Sequence, residues 1–311
     1  MLLSSAVWAS LVASAPAVGV GPTALGTSAE PQAIVGGEEA RPGEFDAVVS
    51  FLFQTRFCTG TVIAPRLVLT AAHCLANLPA SAQDGVSVRF GISAENPEEV
   101  VMSEQFGVFP EFCPDCLYER NDIAYIVLSQ PVEIPGGFPT VITDQNDWDD
   151  NIGAGRAMTM VGFGQTSAGM ATPGDDLGLG TKRVVDTHMR PHGDAGIDFL
   201  AGSEGIDTCD GDSGGPALVT LEDGTWAIAG VLSGGLGECG SGESVYSVPL
   251  PAMAWIRDET GIDLLPAGCE NADCVDTSVP DEGCGCTEPK PSTPAAALVV
   301  VVLLGLVRRR R

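Results

Sequence analysis

Short runs rich in Val, Ile, Phe and Thr, separated by Gly, Pro, Asp and Asn, recur from residue 34 to about 265. They are Ala47–Phe53, Thr61–Leu69, Val86–Phe90, Asp122–Leu128, Ala157–Gly162, Arg183–Thr187, Ala217–Leu221, Trp226–Leu232 and Ser244–Val248. Many short strands with turn signals between them predict an antiparallel barrel or sandwich. Gly 39 and Pro 22 favour turns over a helix bundle. One short helix is expected at Ala252–Asp258, around Trp255 and Ile256, stopping near Gly261.

Lys+Arg 15 against Asp+Glu 41 gives a net charge of −26. A nucleic-acid binder needs a basic face to displace counterions, so that class is excluded. An acidic field attracts basic peptides and proteins instead. The chain is 44% hydrophobic and 18% charged, enough apolar surface for a packed core. Ten cysteines suggest metal sites in the cytosol and disulfides outside it.

The ends of the chain favour export. Leu2 to Val20 is apolar and rich in small residues, with Ala13-Ser14-Ala15 and Ala15-Pro16-Ala17 as A-x-A-like cleavage sites. Residues 1–33 therefore read as a signal peptide and short pro-segment, although the charged n-region is missing. Residues 34–265 hold the organised domain. Residues 266–294 read as a linker with cysteine cross-links. In residues 295–311 an apolar run, Ala295 to Val307, precedes four arginines. As a helix it rises about 20 Å, short of the roughly 30 Å hydrocarbon core. A removable sorting signal and a simple membrane anchor both fit this pattern.

Three islands carry chemistry: Thr70-Ala71-Ala72-His73-Cys74, Asp122-Ile123-Ala124, and Gly211-Asp212-Ser213-Gly214-Gly215-Pro216. A serine hydroxyl is a poor nucleophile until a base takes its proton, and His is the natural base. A buried carboxylate selects the imidazole tautomer and stabilises the imidazolium. Glycines beside Ser213 let the backbone turn its N–H groups toward a developing oxyanion.

With Ile34-Val35-Gly36-Gly37 and the Trp255-Ile256 helix, these islands resemble the trypsin/chymotrypsin-like serine proteases, in the family's order. The resemblance implies an all-β fold: two six-stranded antiparallel barrels with a short C-terminal helix. It makes His73 the general base, Asp122 its orienter and Ser213 the nucleophile. The N–H groups of Gly211 and Ser213 become the oxyanion hole. It places Asp207 at the base of the S1 pocket, with Ser233 and Gly235 on its wall, which favours cleavage after Arg or Lys. Gly234 replaces the family's usual Trp, and Ser244 aligns with a usual Gly. Activation by a free Ile34 amine pairing with Asp212 is implied. Ala33 before Ile34 is not a trypsin cleavage site, so another protease or signal peptidase must cut there. The resemblance pairs Cys58 with Cys74 and Cys209 with Cys239.

Cys113-Pro114-Asp115-Cys116 resembles a redox motif but lacks a βαβ context, so a local loop disulfide is expected. Cys269 and Cys274 are expected to pair. Asp144–Asp150 lacks an EF-hand's glycine and terminal Glu and is expected to be a solvated loop. His188 and His192 have no motif context and are expected at the surface. No metal or organic cofactor is expected. The Cys284-Gly285-Cys286 tail resembles the MYXO-CTERM type of sorting signal, which implies sorting machinery as a partner and a surface or secreted location. Two alternatives remain beside the Arg/Lys-specific endopeptidase: a processing protease of other specificity, and a surface binding protein on a protease scaffold.

Overall fold

A computed structural model describes residues 34–116, 119–166, 178–191 and 196–277. The expected signal segment, His192, Cys284, Cys286 and the apolar tail lie outside the described residues.

The first barrel is built from β2 (Val48–Phe53), β3 (Arg56–Ala64), β4 (Leu67–Thr70), β5 (Ser87–Phe90), β6 (Glu99–Val108) and β7 (Ala124–Leu128). It closes in the order β2-β3-β4-β7-β6-β5. The single run expected at Thr61–Leu69 is two strands. Pro65 lacks an N–H and bends the chain, so β3 and β4 pair antiparallel across it. β6 was not expected, because Glu99, Ser103, Glu104 and Gln105 dilute its apolar character. Its faces nonetheless alternate, with Val101 and Ser103 buried and Met102 and Glu104 exposed.

The second barrel uses β9 (Ala157–Gly162), β10 (Arg183–Pro191), β11 (Asp198–Ala201), β12 (Pro216–Thr220), β13 (Trp226–Gly235) and β14 (Ser244–Ser247). The order is β9-β10-β11-β14-β13-β12, and β9 pairs with both β10 and β12 to close it. Two short strands sit outside the ring. β1 (Glu38–Glu39) pairs with β10, and β8 (Thr140–Val141) pairs parallel with β13. Phe199 stacks on Tyr246 inside the ring, with centroids 5.6 Å apart.

Three short helices complete the domain. α1 (Ala72–Leu75) follows β4 and carries His73. α2 (Gln145–Asn151) corrects the expected solvated loop. Asp144 caps it by accepting from the Asn146 N–H at 2.8 Å, and buried Trp148 anchors one face in the second core. α3 (Met253–Thr260) ends at Gly261 in the left-handed conformation, φ 73°. Its Trp255 returns to the first barrel, 5.1 Å from the Tyr125 ring. Beyond it, Cys269 and Val275 are buried against the cores, so part of the cysteine-bearing segment packs on the domain. Four disulfides hold the described chain: Cys58–Cys74, Cys113–Cys116, Cys209–Cys239 and Cys269–Cys274. All four match the expected pairs.

Candidate active site

α1 and the segment leading into β7 bring His73 and Asp122 together. His73 Nδ1 lies 2.6 Å from Asp122 Oδ2, and the His73 backbone N–H donates to Asp122 Oδ1 at 2.8 Å. Two contacts from one residue fix both the ring and its tautomer. Asp122 is fully buried and gains a third donor, Ser233 Oγ, at 2.6 Å. Ser233, the residue expected on the pocket wall, thus also contacts the carboxylate that faces His73. Ser247 Oγ accepts from the Asp122 N–H at 3.3 Å. Burial pushes the His73 imidazole down, but the hydrogen bond and charge of Asp122, with the charge of Glu119, outweigh it. The net pKa is raised, and Arg56 opposes the rise.

Ser213 sits where the loop between β11 and β12 meets the first barrel. Its carbonyl accepts from the Thr59 N–H at 2.8 Å. Cys74 Sγ, a disulfide sulfur with no proton to donate, lies between the two islands, 3.7 Å from His73 Nε2 and 3.8 Å from Ser213 O. No hydrogen bond joins His73 Nε2 to Ser213 Oγ in this structure; such contacts tighten when substrate arrives. Gly214 follows at φ 81°, and a Cβ there would come 2.1 Å from Thr70 Oγ1. The motif therefore requires glycine at this point. The Asp212 N–H donates to Cys209 O and the Gly214 N–H to Leu232 O. The N–H groups of Gly211 and Ser213 between and beside them have no protein acceptor among the described residues.

Sequence reasoning missed Thr59, which stitches this loop to the first barrel. Its Oγ1 donates to Gly211 O at 2.9 Å and accepts from the Phe163 N–H at 3.2 Å. Only the fold brings these residues together, and no motif marks Thr59.

Asp207 is buried and its carboxylate is already crowded. Oδ2 accepts from the N–H groups of Gly240 and Gly242, each at 3.0 Å, and from Ser241 Oγ at 3.3 Å. Oδ1 accepts from Thr208 N at 3.0 Å and Ser244 Oγ at 2.5 Å. Gly235 ends β13, and a Cβ there would meet nothing closer than 3.6 Å. Ile34 is fully buried, and its neighbour Val35 forms a bridge to Asp207. Asp212 is buried between Gly164 and Cys209, whose N–H groups reach its oxygens at 2.7 and 3.0 Å. Burial pushes its carboxyl up to about 7, against those two hydrogen bonds. The structure thus brings Ile34, Asp207 and Asp212 into one region of the second barrel.

Donor atoms of His73, Glu119 and Asp122 lie within 4.8 Å of one another, as do those of Cys58, His73 and Cys74. Neither set suits a metal. Nδ1 is taken up by its hydrogen bond to Asp122, and both cysteines are in a disulfide. His188 is exposed on β10.

A family model described as Trypsin matches residues 34–256. The protein named Trypsin Tyr p 3.0101, from Tyrophagus putrescentiae, is 29% identical over 241 residues, covering 72% of this chain and 79% of that protein. By class this is a serine protease, acting on proteins or peptides. More narrowly, the chain belongs to the trypsin family.

Proposed function

We propose that the chain is an exported endopeptidase in which Ser213, His73 and Asp122 form the catalytic triad. Ser213 Oγ attacks the scissile carbonyl carbon while His73 Nε2 takes its proton. The new C–O bond leaves a tetrahedral oxyanion, which the N–H groups of Gly211 and Ser213 hold. The imidazolium then gives its proton to the leaving amine, and an acyl-enzyme remains. Water, deprotonated by His73, releases the acid. The observation that carries this reading is the 2.6 Å contact between His73 Nδ1 and buried Asp122, set beside the Ser213 loop.

Asp207, with Ser233 and Gly235 nearby, selects Arg or Lys before the cleaved bond. Support comes from a buried carboxylate six residues before Ser213. A second protease cuts before Ile34, and the freed ammonium pairs with Asp212, which is buried and whose carboxyl stays raised despite the nearby charge of Arg183. Four disulfides suit an oxidising compartment. The apolar tail and arginines take the protein to a surface or release route through sorting machinery.

The test uses protein with a confirmed Ile34 N-terminus, a mixed peptide library and mass-spectrometric mapping, alongside Ser213→Ala. Cleavage after Arg or Lys that vanishes in the variant supports the whole reading. Cleavage after other residues removes the role of Asp207 alone. No cleavage shifts weight to a binding protein on a protease scaffold.

A further inference from the structure

A second carboxylate approaches the same imidazole nitrogen as Asp122. Glu119 Oε2 lies 3.7 Å from His73 Nδ1. The Nδ1 proton is already held by Asp122 at 2.6 Å, so Glu119 acts as a charge and not as an acceptor. Its side chain is 43% exposed, whereas that of Asp122 is 0%. Arg56, on β3, works the other way. Its Nη1 donates to His73 O at 3.3 Å, and its charge disfavours an imidazolium. Asp122, Glu119 and Arg56 are the charged groups that act on His73 among the described residues.

A disulfide loop sets the place of Glu119. Cys113 and Cys116 are bonded. The Cys113 N–H donates to Arg120 O at 3.0 Å, and the Glu119 N–H donates to Cys116 O at 3.3 Å. Arg120 reaches across to Asp198 of β11, 3.9 Å away, in the second barrel. Glu119 and Asn121 both adopt left-handed backbone, φ 42° and 57°. Asn visits this region readily, but Glu stays there only where its surroundings over-determine it. The loop is therefore held from both sides, and the Glu119 carboxylate is delivered to the ring.

We infer that Glu119 is a positioning residue for His73, stabilising the imidazolium formed during acyl transfer, and that the Cys113–Cys116 loop holds it in place. The inference rests on the reading of His73 as general base. When the Ser213 O–H bond breaks, its proton moves to Nε2 and the ring becomes a cation. A carboxylate 3.7 Å from Nδ1 favours that cation over the neutral ring. The proton then leaves with the amine, and Glu119 is unchanged. Partial exposure lets solvent and salt screen the contact, so its contribution is modest.

The test compares Glu119→Gln, Glu119→Asp and Cys113→Ser/Cys116→Ser with wild type, each with a free Ile34 amine and a checked thermal midpoint. Glu119→Gln is expected to lower kcat about two- to fivefold with KM unchanged. The acid limb of kcat/KM moves to lower pH, and the difference shrinks at high salt. Glu119→Asp falls between. The double-cysteine variant shifts the limb in the same direction and adds nothing in the Glu119→Gln background. A limb and kcat that stay put in Glu119→Gln overturn the inference, as does an effect confined to KM. Additive effects of the cysteine pair overturn the role of the loop. NMR titration of the His73 ring in Ser213→Ala, with and without Glu119→Gln, separates the two readings. A lower ring pKa on removing Glu119 supports the contact even if the protein cleaves nothing, and an unmoved ring refutes it.

Discussion

Ser244 Oγ donates a hydrogen bond to Asp207 Oδ1 across 2.5 Å. The same hydroxyl meets Thr208 Oγ1 at 2.7 Å and accepts from the Thr208 N–H at 3.1 Å. If Asp207 takes the substrate cation as proposed, that cation shares a carboxylate that already has five donors. Ser244→Gly removes one donor and the side chain that carries it. A hydrogen bond to a charged group contributes roughly 1.5–3 kcal/mol, so kcat/KM for Arg substrates should rise about tenfold relative to Phe substrates. The variant should also lose roughly 1.5–3 kcal/mol of stability with that bond to the Asp207 carboxylate. Steady-state kinetics on matched peptides decide it: an unchanged Arg-to-Phe ratio would mean that Asp207 never meets the substrate.

Asp212 makes the uncut chain pH-sensitive. Its carboxyl is raised by burial to about 7, well above the ordinary value of roughly 4. A carboxyl raised on folding binds protons more readily in the native state. Stability is then full at low pH and is lost as pH climbs from about 4 to about 7. Three units correspond to about 4 kcal/mol. Uncut Ser213→Ala should therefore unfold at lower urea at pH 8 than at pH 5, and adding Asp212→Asn should flatten that difference. In the proposed activation, cleavage before Ile34 frees an ammonium that pairs with Asp212. On that proposal activity should persist at neutral pH and fall above about pH 8–9, as an α-amine with an ordinary value near 8 loses its proton. Activity level to pH 11 would remove the Ile34–Asp212 pair from the account.

The parts of the site that depend on residue type within a short motif were legible in sequence: His73, Asp122 and Ser213 each sit in such an island. Their supports were not. Ser233 Oγ is 111 residues from the carboxylate it orients, and Thr59 is 152 residues from Gly211. Neither partner constrains the local sequence of the other. In the fold, strands with dense β-branched or aromatic runs could be read, whereas β6 could not because its faces do not sort by polarity: Ser103 is buried while Val100 and Met102 face solvent. Asp144–Asp150 looked like a loop because acidic residues dominate it. The helix rests on two residues, the Asp144 cap and the buried Trp148.

Thr59 should matter to rate as well as stability. Thr59→Val keeps the shape but leaves Gly211 O and the Phe163 N–H without the partners they have at 2.9 and 3.2 Å. Each buried group left unpaired costs roughly 1–3 kcal/mol. Because Gly211 belongs to the proposed oxyanion loop, part of that cost falls on the transition state. The expected result is a kcat about tenfold lower with KM little changed. A drop in melting temperature with kcat intact would assign Thr59 to folding alone.

Lys182 gives the opposite pH signature to Asp212, in a different window. It is fully buried, its Nζ donates to Phe45 O at 2.9 Å, and it lies 5.6 Å from the Phe163 ring centroid. Burial pushes its amine down to about 8, despite the charges of Asp46 and Glu98. A lysine lowered on folding binds protons less readily in the native state than in the unfolded chain. Its penalty is therefore full below about pH 8 and fades as pH rises toward the ordinary lysine value of 10.5. The span amounts to about 3 kcal/mol. Lys182→Met removes the charge and keeps the volume, at a cost of about 1 kcal/mol for the unpaired Phe45 carbonyl. In a Ser213→Ala background the variant should be about 2 kcal/mol more stable than its parent at pH 7. That advantage should shrink to nothing or reverse by about pH 10.5, as the parent's amine becomes neutral at no further cost. Guanidinium unfolding at the two pH values measures the difference directly. An equal gap at both would show that the amine does not change its charge across this range in the folded protein.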